Sequence, residues 1–145
     1  MVRDELSRAV PAPPDTAGVQ LDQPFDRAAL VALRSAVAAH GGNLGLSGER
    51  LDLLVVVAHE LASNAVRHGG GQGRLRLWRA DGSVYCQVSD DGPGMPDPEP
   101  DGWGRPPPVS VEGGRGLYFV HTLADGVTVH NGDTGAVVTA RFRVG

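Results

Sequence analysis

Between residues 47 and 68, apolar side chains return every three or four positions: Leu51, Leu54, Val55, Ala58, Leu61, Ala62, Ala65 and Val66. That spacing predicts an amphipathic helix from a Ser47 N-cap to about His68, ended by the glycines of GGGQG. An earlier helix follows from Leu30, Leu33 and Val37, capped by Asp26 and running to about His40, where GGNLGL breaks the chain. VQLDQPF, just before it, reads as a short first strand. The period changes to two in RLRLWRA and VYCQVSD, and Asp81-Gly82 between them is a strong hairpin signal, so these two segments are antiparallel neighbours. GLYFVHTLAD predicts a third helix. VTVHN and AVVTARFRV form a last hairpin, turning at Gly132-Asp133-Thr134-Gly135. Three principal helices on one face of a mainly antiparallel mixed sheet make an α+β fold, a two-layer sandwich.

Two stretches fall outside this pattern. Residues 1–18, rich in proline, alanine and charge, read as a disordered leader, so the domain is expected over 19–145. From Gly92 to Gly116 proline and glycine dominate over a length too great for an ordinary connection, which suggests a lid at about 95–113.

The alternation of the second hairpin strand raises a chemical question. Val84, Cys86 and Val88 share one face, and period two puts Asp90 next on that same apolar face. A carboxylate there is costly unless a hydrogen-bond donor meets it. On the predicted long helix, HELASNAVRHG sets Glu60, Asn64 and His68 at i, i+4 and i+8, one polar stripe at the edge of the core.

Composition narrows the options. At 145 residues with 41% hydrophobic content, the chain fits one domain with a real core. The only cysteine, Cys86, allows no internal disulfide, and its apolar face predicts a packed thiol. The net charge of -4, without a basic stripe, argues against direct nucleic-acid binding. No apolar run is long enough to span a membrane and no signal-peptide pattern opens the chain, so a cytoplasmic protein is expected. One Cys and no close His pair make a protein-ligated metal cluster improbable. All 13 basic residues are arginine, which excludes a Walker A loop and the lysine-dependent protein-kinase architecture.

An acid, an amide oxygen and two glycine-rich turns are the parts that a nucleotide site without lysine requires. Asn64 can offer a neutral oxygen to Mg²⁺, which takes its other ligands from water and phosphates. Glu60 can position or deprotonate an attacking hydroxyl. Asp90 can accept from the exocyclic amine of adenine. Gly92 and Gly94 would let the backbone approach the base, and Gly114 and Gly116 would leave amides open to phosphate. Each part alone has an ordinary reading as a solvated helix pair or a simple turn; their order after HELASN joins them.

In that order the motifs resemble those of the histidine kinase-like ATPase superfamily, which includes gyrase, MutL and the bacterial anti-sigma serine kinases. The resemblance covers roughly Val19 to Val144. Glu60 to Asn64 is similar to the N-box, and Asp90, Gly92 and Gly94 to the D-x-G-x-G box. Gly114, Arg115, Gly116 and Leu117 are similar to the second glycine box. Gly132 to Thr139 is similar to the last box, with Thr139 as its threonine near adenine. The resemblance implies a Bergerat sandwich that binds ATP or ADP with Mg²⁺. Size and layout most resemble the anti-sigma factor serine kinases, which implies Glu60 as base and Asn64 as magnesium ligand. It also implies an anti-anti-sigma-like partner with a phosphorylatable serine, a sigma factor as second partner, and leaves room for a homodimer. The lid departs from that layout: it is proline-rich, with Trp103 and Arg105 as its candidate partner contacts. A non-catalytic ATP- or ADP-binding switch that sequesters a partner is the alternative.

Overall fold

The computed structural model describes residues 19–90, 120–132 and 135–144. The chain opens with strand β1 (Leu21–Asp26) and a short 3-10 turn (Arg27–Ala29), followed by helices α1 (Leu30–Asn43) and α2 (Gly48–His68). Strands β2 (Gln72–Ala80) and β3 (Ser83–Ser89) form a hairpin, residues 120–123 form a helical turn, and β4 (Gly126–Gly132) and β5 (Gly135–Arg143) close the fold. The leader and the lid expected at about 95–113 lie outside the described residues.

The five strands run in the order β1-β2-β3-β5-β4. Every pairing among them is antiparallel. The β2–β3 turn has φ of 52° at Asp81 and 75° at Gly82, two consecutive left-handed residues that match the twist of the flanking strands. Pro24, which cannot donate to a ladder, lies in the edge strand β1, where it does least harm.

Strand alternation sorts side chains onto two faces. Leu75, Leu77, Val84, Cys86, Val88, Val138, Ala140 and Phe142 turn to the helices and join Leu33, Val37, Leu54, Val57, Ala58 and Leu61 in one core. The other face carries Arg74, Arg76 and a buried stack of Trp78 on Tyr85, with ring centroids 5.5 Å apart.

Two expectations need correction. Helix α1 does not stop at His40 but continues through Gly41 and Gly42 to Asn43. Gly41 is buried against α2, where a Cβ would come within 2.5 Å of Leu54 Cδ2 and 2.9 Å of Leu51 Cδ1. Helix contact thus outweighs the low helix propensity of glycine. On α2 the buried stripe is rotated slightly: Val57 is fully buried and Val55 only partly. Asp26 caps the 3-10 turn that leads into α1 rather than α1 itself: its Oδ1 accepts from the Ala29 N–H at 3.1 Å, and α1 starts after Ala29 without a side-chain cap. Ser47 stands at the N-cap of α2, but its side chain makes no capping hydrogen bond.

Candidate nucleotide site

The site forms where the C-terminal half of α2 meets the ends of β3 and β5. Asn64 follows Val57 by two helical turns and therefore sits on the buried stripe, with 4% of its surface exposed. Its Oδ1 accepts from Arg67 Nη2 at 2.7 Å. Its Nδ2 is buried and has no acceptor among the described residues. A buried amide with an unpaired donor is costly, and in a native structure such a group calls for a reason such as a functional role, an ion or a water. Glu60, one turn earlier, is half-buried, whereas His68 is exposed, so the polar stripe runs from the core edge out to solvent.

Asp90 continues the core face of β3 as the alternation predicts. Its backbone and carboxylate both engage Ala136: the Asp90 N–H donates to Ala136 O at 3.1 Å, and Ala136 N–H donates to Asp90 Oδ1 at 3.3 Å. Two glycines make room for it. At Gly69, the C-cap of α2, an added Cβ would collide with the Asp90 carboxyl carbon, and its Oδ2 would lie at 2.6 Å. At Gly135, with φ of +132°, a Cβ would collide with the Asp90 carbonyl oxygen. The carboxylate expected to meet adenine is therefore held between a helix end and a strand start that only glycine permits.

Thr139 is not brought to this place. It lies between Val138 and Ala140, both in the core, so its side chain turns to the opposite face of the sheet. There its hydroxyl accepts from Gln87 Nε2 at 3.2 Å. The β5 residue at Asp90 is Ala136. The alternation of AVVTARFRV carries this signal, grouping Thr139 with Arg141 and Arg143. Gly92, Gly94, Gly114, Arg115, Gly116 and Leu117 lie outside the described residues.

Arg67 and Gly69 were not among the residues expected at the site. Gly69 reads in sequence only as a helix terminator, and its fit to Asp90 depends on the packing of α2 against β3. His59, beside Glu60, faces α1: Leu30, Leu33, Arg34 and Val37 line the crevice with it. Its Nε2 lies 3.4 Å from Ser63 Oγ, and its buried Nδ1 has no partner among the described residues. No cluster of metal-ligating side chains occurs among the described residues. Mg²⁺ at Asn64 would accordingly depend on nucleotide phosphates and water for its other ligands.

The groups with displaced pKa values lie elsewhere. Burial pushes the Cys86 thiol up to about 12. Burial also raises the Tyr85 phenol. A hydrogen bond from Arg74 lowers Asp22 on the far face of the sheet.

A family model described as the histidine kinase-like ATPase domain matches residues 24–142. The chain belongs to that family. Its members are nucleotide-binding ATPase domains, and the buried Asn64 amide and the glycine-walled Asp90 of this chain fit such a ligand. The chain is 37% identical over 60 residues to the signal transduction histidine-protein kinase AfsQ2 of Streptomyces coelicolor, a match spanning 41% of this chain and 11% of that kinase. Among solved structures it resembles the RsbU and RsbW domains of Rv1364c from Mycobacterium tuberculosis. That match has a TM-score of 0.61 and 20% identity over 85% of this chain and 32% of the other. The Acinetobacter baumannii histidine kinase AdeS matches with a TM-score of 0.52 and 17% identity, over 86% of this chain and 68% of that one. At these identities the structural matches establish the fold. No helix among the described residues is long and apolar enough to cross a membrane.

Proposed function

We propose that this domain binds ATP or ADP with Mg²⁺, transfers the γ-phosphate of ATP to a serine of an anti-anti-sigma-like protein with release of ADP, and sequesters a sigma factor. The observation that carries the nucleotide part is Asn64, a 4% exposed amide with an unused buried donor on the helix that also carries Glu60. In this reading Asn64 would offer its oxygen to the metal, whose charge would offset that of the phosphates. Glu60, one turn away and half-buried, accepts the proton of the incoming serine hydroxyl. Asp90 orients the base through the adenine amine, with Gly69 and Gly135 keeping its carboxylate in place. The serine-directed activity rests on the layout of HELASN and GGRGL, which resembles the anti-sigma serine kinases, and on the likeness in fold to a chain containing an RsbW domain.

The test is incubation of the purified chain with labelled ATP and a candidate anti-anti-sigma-like protein, followed by mapping of the phosphate. Phosphoserine on the partner supports the proposal. Phosphate only on histidine, or none with nucleotide still bound, defeats serine transfer and leaves a nucleotide-binding switch.

A further inference from the structure

We infer that residues 1–18 fold back over the sheet face opposite the helices and cover the stack of Trp78 on Tyr85. An antiparallel sheet packed by helices on one side ordinarily leaves its other side to water. Here Trp78 and Tyr85, 1% and 2% exposed, are buried on that other side, yet neither belongs to the core that the helices form with the inner face. No helix or strand among the described residues lies over them. The indole Nε1 of Trp78 is buried as well and meets no acceptor among the described residues. An indole nitrogen only donates, so whatever occupies this face must bring both an apolar surface and an oxygen.

The register of the sheet locates the entry point. Trp78 pairs with Tyr85, and Tyr85 with Arg141, in one row across β2, β3 and β5. Leu21 pairs with Leu77, and the Gln20 N–H donates to Leu77 O at 2.9 Å, so the chain before β1 leaves the sheet at the edge of that same row. Toward the opposite end the face opens: the side chains of Arg76 and Arg74 are 36% and 51% exposed. That open end is where Arg74 pairs with Ser89, two residues before the segment 91–119, and Val120 at the far end of that segment belongs to the helix-side core. Residues 1–18 are thus attached at the covered end of the face. Their composition fits it. Leu6, Val10 and the prolines of PAPP supply apolar surface, and a proline-rich backbone makes no hydrogen bonds within itself, which leaves its carbonyls for the indole N–H. Asp4 and Glu5 complement Arg76 and Arg141, which border the stack. Fully extended, this stretch reaches about 60 Å, against a width of roughly 24 Å for the sheet. Its composition predicts disorder for want of a core to join, and the aromatic face provides one.

The test is independent of the nucleotide site and uses the whole chain with Trp103→Phe, which leaves Trp78 as its sole tryptophan. Acrylamide quenching of Trp78 is measured in this parent, in a version that adds Leu6→Lys and Val10→Lys, and in one whose residues 2–17 are replaced by a Gly-Ser segment of equal length. Melting curves check folding, and sedimentation gives the oligomeric state. The expected result is weak quenching in a monomeric parent, rising several-fold with red-shifted emission in both leader variants. Strong quenching in the parent, or unchanged protection in the folded Gly-Ser version, overturns the inference. Should the Gly-Ser version fail to fold, the lysine pair decides by the same readings. Protection that grows with protein concentration, in step with a dimer, assigns the face to a second copy of the chain and overturns the inference as well.

Discussion

Gly69 and Asp90 fit against each other so closely that the glycine's missing Cβ is the space occupied by the Asp90 carboxylate. The end of α2 and the end of β3 are thereby joined at one point, the point where the proposed adenine contact lies.

Gly69→Ala should push the Asp90 side chain out of place and weaken ATP binding about tenfold or more. Asp90→Ala should weaken it by roughly ten- to a hundredfold, the loss of a charge-assisted hydrogen bond of about 1.5–3 kcal/mol. Calorimetry on both variants, with melting curves to confirm folding, tests this. Wild-type affinity in folded Asp90→Ala would remove the adenine assignment.

Glu60→Gln keeps the shape of a half-buried side chain and removes its basicity. Nucleotide affinity should persist while phosphate transfer to a serine partner falls by about 10² to 10⁴. Parallel loss of binding and transfer would make Glu60 a structural residue.

Cys86 is buried on the core face of β3, and burial pushes its thiol up to about 12. At pH 8 the thiolate fraction is then on the order of 10⁻⁴. Native protein should therefore remain unlabelled by iodoacetamide over hours and react promptly after denaturation in urea. Mass spectrometry reads the difference, and rapid native labelling would contradict the packed-thiol assignment.

Asp125 ties the start of α2 to the end of β5. Burial alone would raise its pKa, but the Arg143 N–H at 2.8 Å and the Arg50 guanidinium at 2.7 Å outweigh it and hold the carboxyl below its ordinary 3.8. A carboxylate depressed in the folded state stabilises above its unfolded pKa, and the contribution disappears as pH falls through the folded value. Asp125→Asn should lower stability by about 1 kcal/mol at pH 7 and show a smaller further loss than wild type on acidification below about pH 4. Urea unfolding at pH 7 and pH 3 measures both; parallel losses in the two proteins would rule out the linkage.

Much of the fold is local and so was legible in the chain. Period two placed Val84, Cys86, Val88 and Asp90 on one face, Asp81-Gly82 marked the hairpin turn, and the 3.6-residue period set α2 with Asn64 beside its apolar stripe. These features follow from backbone geometry and hydrophobic burial along a single element. Thr139 was legible in the same way, through its apolar neighbours Val138 and Ala140, and motif position was the weaker guide. What needed tertiary structure are the relations between elements. Gly41 continues α1 because Leu51 and Leu54 leave no room for a side chain there, although glycine by propensity ends a helix. Gly69 and Gly135 enclose Asp90 because α2 and β5 converge on it. The Arg67 guanidinium meets the Asn64 oxygen while the amide Nδ2 is buried without an acceptor among the described residues. Spacing along the chain specifies which residues share a face, but only packing decides which faces meet and which polar atoms lose water, and those two outcomes make the proposed site.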